Sequence, residues 1–243
     1  MKRVREKEER PLAITPLISI FTGKNNNMKI RIKQTIKKTL LFQLLWNWTV
    51  KRKREQEELI AWQKNQQHGP PPHIVKQQTI KAYAKRFGLH ILVETGTYYG
   101  DMVEAMKGHF DQIYSIELSP ELYETAQKRF KRSKNIRLIC GDSAVELGNI
   151  MERLDKPTLF WLDGHYSAGV TAKGEKNTPI FEELTHIFNA PDQGHIILID
   201  DARLFGTEPD YPSLQELAAF ISAKKPHLDM TVEADSIRIT PRK

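Results

Sequence analysis

Five short apolar runs, at 91–93, 113–116, 136–140, 159–162 and 196–199, alternate with four stretches of helical periodicity, at 102–107, 121–130, 144–153 and 179–189. The runs are rich in Ile, Leu and Val and show little alternation of polar with apolar residues. Strands of that kind must be covered on both faces, which requires a parallel sheet with helices crossing between successive strands. A lead-in helix is predicted over 74–87, closed by Gly88, and a last helix over 213–224. The chain then ends in "MTVEADSIRIT", two alternating stretches around Ala234-Asp235, which predicts a closing antiparallel hairpin. The expected fold is α/β: a Rossmann-like, mostly parallel sheet with an antiparallel C-terminal hairpin.

Charge divides the 243 residues unevenly. Residues 1–88 carry 20 Lys and Arg against 6 Asp and Glu, whereas 89–243 carry 17 against 24. The net +7 therefore belongs to an N-terminal extension, and the α/β region is acidic. Residues 1–27 lack periodicity and read as a disordered tail. From 28 the pattern is that of a basic amphipathic helix, with Ile32, Ile36, Leu40, Leu44 and Trp48 recurring every four residues and Lys33, Lys37 and Lys38 mostly opposite. Its densest apolar run, 40–50, is about half the ~20 residues that a membrane span needs. The proline cluster "HGPPPH" closes the extension, so three regions are expected: tail 1–27, helical extension and linker 28–73, and the α/β domain 74–243. The helix 28–50 could lie in an anionic membrane interface, pack on this domain or on a second subunit as a homo-oligomer, or bind nucleic acid. Tryptophans 46 and 48 beside the leucines favour the first two. A single cysteine, Cys140, excludes an internal disulfide and fits a reducing compartment. With no signal peptide visible, the expectation is a cytoplasmic protein, able to sit at the inner face of the membrane.

At the first strand–helix join stands E-T-G-T-Y-Y-G, Glu94 to Gly100. A dinucleotide-binding loop would read G-x-G-x-x-G and would offer backbone N–H groups to a pyrophosphate. Here one glycine is missing, and an acid stands at the end of the strand, where a phosphate would be repelled. A ligand with a cationic amine and no phosphate fits better, and S-adenosyl-L-methionine has that chemistry. Taken alone, the loop could also be an ordinary βα turn, the less favoured of the two readings. Two further acids support the ligand reading. Glu117, followed by Leu118, lies 21 residues after Gly96 at the end of the second strand, close to the ~20-residue spacing of a ribose-binding carboxylate. Asp142 and Ser143 end the third strand, where an acid can accept from an adenine amino group.

These segments, "VETGTYYG", "IYSIELSPE", "CGDS", "LFWLDGHYS" and "ILIDDARLFG", resemble in order and spacing the class I S-adenosylmethionine-dependent methyltransferases. The resemblance covers about residues 81–243. It implies a seven-stranded sheet, and cofactor contacts at Glu94, Thr95, Gly96, Gly100, Glu117, Leu118, Asp142, Ser143 and Asp163.

A second group of residues ends the fourth and fifth strands: Asp163 and His165, then Asp200-Asp201. Hard carboxylate oxygens suit Mg²⁺, which would lower the pKa of an acceptor hydroxyl and aim it at the methyl group. The pattern resembles that of metal-dependent small-molecule and sugar O-methyltransferases, with Asp163, Asp200 and Asp201 as metal ligands. Those enzymes often show D-G-D where this chain has D-G-H. Without a metal, His165 would serve as general base, its ordinary pKa of ~6.5 being suitable. The expected catalytic residues are thus Asp163, His165 and Asp201, and the expected partner is a small-molecule or glycan acceptor. Nucleic acid is disfavoured as a substrate, because no N-P-P-Y-type motif for flipped bases occurs and the catalytic region is acidic.

Overall fold

The computed structural model describes residues 46, 49–50, 52–65, 69–164 and 178–242. The chain divides into two compact units, Met1–Lys53 and Arg54–Lys243. In the first, the described residues around Trp46 are helical and exposed, and the Thr49 hydroxyl donates to the Trp46 carbonyl at 2.8 Å. The expected tail and all the named residues of the amphipathic stripe lie outside the described residues. No helix among the described residues is long and apolar enough to cross a membrane.

The second unit holds the α/β fold. After helix α1 (His73–Phe87) come β1 (Ile91–Thr95), α2 (Asp101–Met106), β2 (Gln112–Glu117), α3 (Pro120–Phe130), β3 (Ile136–Cys140), α4 (Ser143–Met151), β4 (Thr158–Leu162), α5 (Ile180–Asn189), β5 (Ile196–Ile199), α6 (Leu214–Lys224), β6 (Leu228–Glu233) and β7 (Ser236–Pro241). A single turn of 3₁₀ helix, Ala202–Leu204, follows β5. The seven strands lie in the order β3-β2-β1-β4-β5-β7-β6. The first five are parallel, and β7 runs antiparallel to both β5 and β6.

Both faces are covered, as the unalternating runs require. On one face Val93, Ile116, Phe160, Leu162, Ile197 and Ile199 pack with Leu147, Leu184, Ile187 and Leu217 of α4, α5 and α6. On the other, Leu92, Ile113, Leu159, Trp161, Ile196 and Leu198 pack with Ile80, Val103, Met106 and Phe130 of α1, α2 and α3. Local signals set the helix ends. Gly88 closes α1 in the left-handed conformation, Ser119 caps α3 ahead of Pro120, and Ser213 and Glu216 form a reciprocal capping box on α6.

The register decides where the site lies. Thr95 is paired with Ile116 on one side and Leu162 on the other, and Leu162 is paired with Ile199. The residues that follow, Gly96, Glu117, Asp163 and Asp200, therefore emerge side by side along one edge of the sheet. The chain runs outward from β1 in one direction through β2 and β3, and from β4 in the other through β5. The crevice at that reversal is where open α/β sheets bind ligands.

The closing hairpin turns on two residues, with Glu233 paired to Ser236 and positive φ at both Ala234 (49°) and Asp235 (58°). Alanine in the left-handed region is strained, while asparagine tolerates it. Ala234→Asn should raise stability by about 0.5–1 kcal/mol, read from the midpoint of urea unfolding.

Candidate active site

The β1–α2 loop is held from both neighbouring strands. The backbone N–H groups of Gly96 and Thr97 both donate to the Ile116 carbonyl, at 3.0 and 3.1 Å. From the β4 side, Asp163 N donates to the Thr95 carbonyl at 3.2 Å, and the Thr95 hydroxyl accepts from Asp163 N and Gly164 N at 3.2 and 3.1 Å. Gly96 has φ +84°, and a Cβ there would stand 2.5 Å from the Asp163 carbonyl oxygen. Only glycine fits. At Gly100, with φ +78°, a Cβ would meet the Phe130 ring at 2.6 Å. Tyr98 and Tyr99 project from the loop tip, both exposed, with ring centroids 4.2 Å apart.

Beneath this loop Glu94 is buried. The Ser115 hydroxyl donates to its Oε2 at 2.5 Å and lies 2.6 Å from the Thr97 hydroxyl. Burial pushes the Glu94 carboxyl up to about 8; the Ser115 bond opposes this, and the charges of Asp163 and Glu117 add to it. Glu94 is thus linked through Ser115 to Thr97 of the β1–α2 loop. Glu117 is oriented by backbone donors, Tyr98 N on Oε2 at 2.7 Å and Ser119 N on Oε1 at 2.9 Å. Burial raises its pKa, and these two amides with that of Leu118 pull it back toward the charged form. The carboxylate is fixed in direction and keeps lone pairs for further donors.

At the end of β3, Asp142 caps α4 by accepting from Ala144 N at 2.9 Å, and Ser143 beside it is buried. Close by is Glu183 of α5, also buried. A Cβ on Gly164 would lie 3.0 Å from Thr95 Oγ1, 3.1 Å from Glu183 Oε1 and 3.2 Å from Ser143 Oγ, so the three side chains converge there. Burial pushes Glu183 up to about 7, against the Ser143 and Thr95 hydroxyls, while the Asp142 charge adds to the rise.

Beyond β4 and β5, Asp163, Asp200 and Asp201 come together, each offering an oxygen within 4.8 Å of the others. A cation is already among them. Lys76, in the first turns of α1, places its ammonium against Asp200 Oδ2 and 3.6 Å from Asp201 Oδ1. Burial works against the charge on Lys76, but Asp200, Asp163 and Asp201 outweigh it and hold its pKa above the usual lysine range. Asp200 is raised by burial and by the Asp163 charge, with Lys76 opposing. Asp201 sits at φ 55° and accepts from Arg203 Nη1 at 2.7 Å, and Arg203 also binds Asp235 in the hairpin turn. Tyr211 stands near enough for the charges of Asp201 and Asp163 to add to the rise that burial gives its phenol. As a donor set the triad suits a divalent ion. With Lys76 in place it does not fit one, because two of the three acids already hold an ammonium.

All nine expected cofactor-side residues lie along this edge. His165 and residues 166–177 fall outside the described residues. Three residues with a stake in the site were not anticipated: Lys76, Glu183 and Tyr211. Of these Glu183 was visible in principle, being a carboxylate within the apolar stripe Ile180, Leu184, Ile187 of α5.

No protein-family profile matches the sequence, and no curated protein matches it. Solved structures do. An O-methyltransferase from Bacillus cereus, crystallised in complex with SAH, is similar over 77% of this chain and 90% of its own, at 14% identity and a TM-score of 0.52. TomG, an O-methyltransferase from Streptomyces achromogenes involved in tomaymycin synthesis and crystallised with SAM, is similar over 77% and 88%, at 16% identity and a TM-score of 0.51. The chain has the class I methyltransferase fold. Within that fold, the loop of Gly96 and the carboxylate of Glu117 stand on the strand ends beside the reversal of strand order.

Two outcomes follow from this geometry. Gly96→Ala forces a methyl group into the Asp163 carbonyl and should cost roughly 2 kcal/mol or more of stability in urea unfolding. Glu183, raised to about 7 from 4.5, favours the folded state most below pH ~4.5, and that contribution is lost as pH rises to about 7. Glu183→Gln should therefore flatten the fall in stability between pH 5 and 7, by roughly 1–3 kcal/mol, in melts across that range.

Proposed function

We propose that this chain is an S-adenosylmethionine-dependent methyltransferase acting on a hydroxyl of a small-molecule or glycan acceptor. The observation that carries this reading is Glu117, a carboxylate aimed by two backbone amides at the end of β2, beside a glycine loop that leaves no row of free amides for a pyrophosphate. The acidic surroundings of Glu94, Glu117 and Asp163 favour a ligand carrying an ammonium and a sulfonium. The complexes of the two similar enzymes with SAH and SAM support the same cofactor.

In this reading Glu94, Thr95, Gly96 and Gly100 form the methionine side of the pocket. Glu117 and Leu118 hold the ribose, and Asp142 with Ser143 meets the adenine. Asp163 stands between donor and acceptor, and Asp200-Asp201 line the acceptor side. The acceptor oxygen attacks the methyl carbon, the carbon–sulfur bond breaks, and its electron pair remains on sulfur. The hydroxyl proton passes to a base. Mg²⁺ held by Asp163, Asp200 and Asp201 would be one means of acidifying the hydroxyl, and His165 as general base, with Asp201 the other expected catalytic residue, is the second. The Lys76 contact favours the second. Activity is then expected to survive EDTA and to fall as pH drops below the base's pKa. The basic segment 28–50 would give peripheral contact with an anionic membrane, which co-sedimentation of the full chain with anionic vesicles tests.

Calorimetric titration with S-adenosylmethionine, followed by methyl transfer to a panel of hydroxylated acceptors, tests the proposal. Binding is expected for the wild type, and Glu117→Ala should weaken it by about 1–3 kcal/mol, having lost charge-assisted hydrogen bonds to the ribose. Unchanged affinity in that variant would place the ribose elsewhere. Binding without transfer to any acceptor would favour the second reading, a catalytically silent binding or scaffold protein.

A further inference from the structure

Lys76 is in an unfavourable place for a lysine. It lies near the N-terminal end of a fifteen-residue helix whose first turn carries no acid and whose preceding residue, Pro72, provides no side-chain cap. The positive end of the helix dipole is repelled by an ammonium there. The side chain is also largely buried, 19% exposed. Both costs are offset from one direction, by Asp200 and Asp201 at the end of β5 and by the charge of Asp163 at the end of β4. The acids need the lysine as much. Three carboxylates whose oxygens approach within 4.8 Å cannot all stay charged in a buried site without a cation among them.

A divalent ion cannot share this arrangement. Mg²⁺ holds carboxylate oxygens at about 2.1 Å in near-octahedral geometry, so an ion on Asp200 Oδ2 would coincide with the ammonium. Bound instead through Asp200 Oδ1, which is buried without a hydrogen-bond partner among the described residues, the ion would lie a few ångströms from that ammonium. Repulsion at that range is barely screened in a buried site. Asp201 is further committed to Arg203, which bridges it to Asp235.

We propose that Lys76 is the resident cation of this acidic edge. Its ammonium stands where a divalent ion would have to be, so the protein binds none there, and removing the ammonium turns Asp163, Asp200 and Asp201 into a divalent-cation site. Through α1, the helix that leads into the domain becomes part of the acceptor side of the crevice. The inference concerns ion binding, so its test is independent of whether methyl transfer is the reaction.

The experiment is titration of the full chain with Mn²⁺, followed by the electron paramagnetic resonance signal of the free ion. Wild type should leave the signal unchanged. Lys76→Met should bind Mn²⁺ at least about ten-fold more tightly than wild type, be raised in melting temperature by the ion, and lose both effects when Asp201→Asn is added. Wild-type binding as tight as that of Lys76→Met, or wild-type binding that Asp201→Asn weakens, would overturn the proposal. If Lys76→Met does not melt cooperatively, Lys76→Gln, which keeps a donor to Asp200 but not the charge, is taken through the same titration with the same two outcomes.

Discussion

The close approach of Gly96 to the Asp163 carbonyl is the contact on which the rest of the site depends. β1 and β4 are neighbours in the sheet but far apart in the chain, and their ends meet where the strand order reverses. The Thr95 carbonyl and hydroxyl bind the amides of Asp163 and Gly164, drawing the two ends together until no side chain fits at position 96. With that seam closed, the β1–α2 loop turns toward β2, where Tyr98 N finds Glu117. The start of the β4–α5 connection is directed toward Ser143 and Glu183. In the proposed function, one backbone contact thus separates a donor side, around Gly96 and Glu117, from an acceptor side, around Asp163 and Asp200.

Electrostatics then distinguish the two sides. Glu94, Glu117, Glu183 and Asp200 are all buried, and each is shifted toward its neutral form. Such a concentration of buried acids is costly unless donors or cations answer it. On the donor side the answers are neutral, hydroxyls of Ser115, Ser143 and Thr95 and amides of Tyr98 and Ser119, which leaves a region attractive to a cation. On the acceptor side the answer is itself charged, the ammonium of Lys76. The cationic cofactor proposed above would therefore be drawn to the first side, while the second is already neutralised in part.

Much of this was legible in the sequence, for identifiable reasons. Strands β1, β2, β4 and β5 are short apolar runs because both of their faces are buried, and that pattern is local; β3, at the edge of the sheet, keeps the apolar run but is only half-buried. Glu117 was legible because the distance from Gly96 through one helix to the end of the next strand is set by the βαβ unit. The hairpin at Ala234-Asp235 was legible as a break between two alternating stretches, and both residues take the positive φ that a two-residue turn requires. Lys76 was not. It precedes Asp163 by 87 residues in a helix with no motif, and only the packing of α1 on the sheet brings it to the acids. The D-G-H sequence at 163–165 raised the question of a metal, and the residue that bears on it lies outside both acidic motifs. Tyr211 joined the site for the same reason as Lys76, through tertiary packing rather than spacing.

The central claim is that a cationic adenosyl cofactor sits across the ends of β1, β2 and β3. Hydrogen–deuterium exchange of the full chain, with and without saturating S-adenosylhomocysteine, tests it most directly, because the ligand must cover backbone amides of those loops. The account predicts slowed exchange in peptides containing 94–100, 117–119 and 142–144, with little change in the hairpin 228–241. Protection confined to other segments, or none at a concentration where calorimetry detects binding, would contradict it.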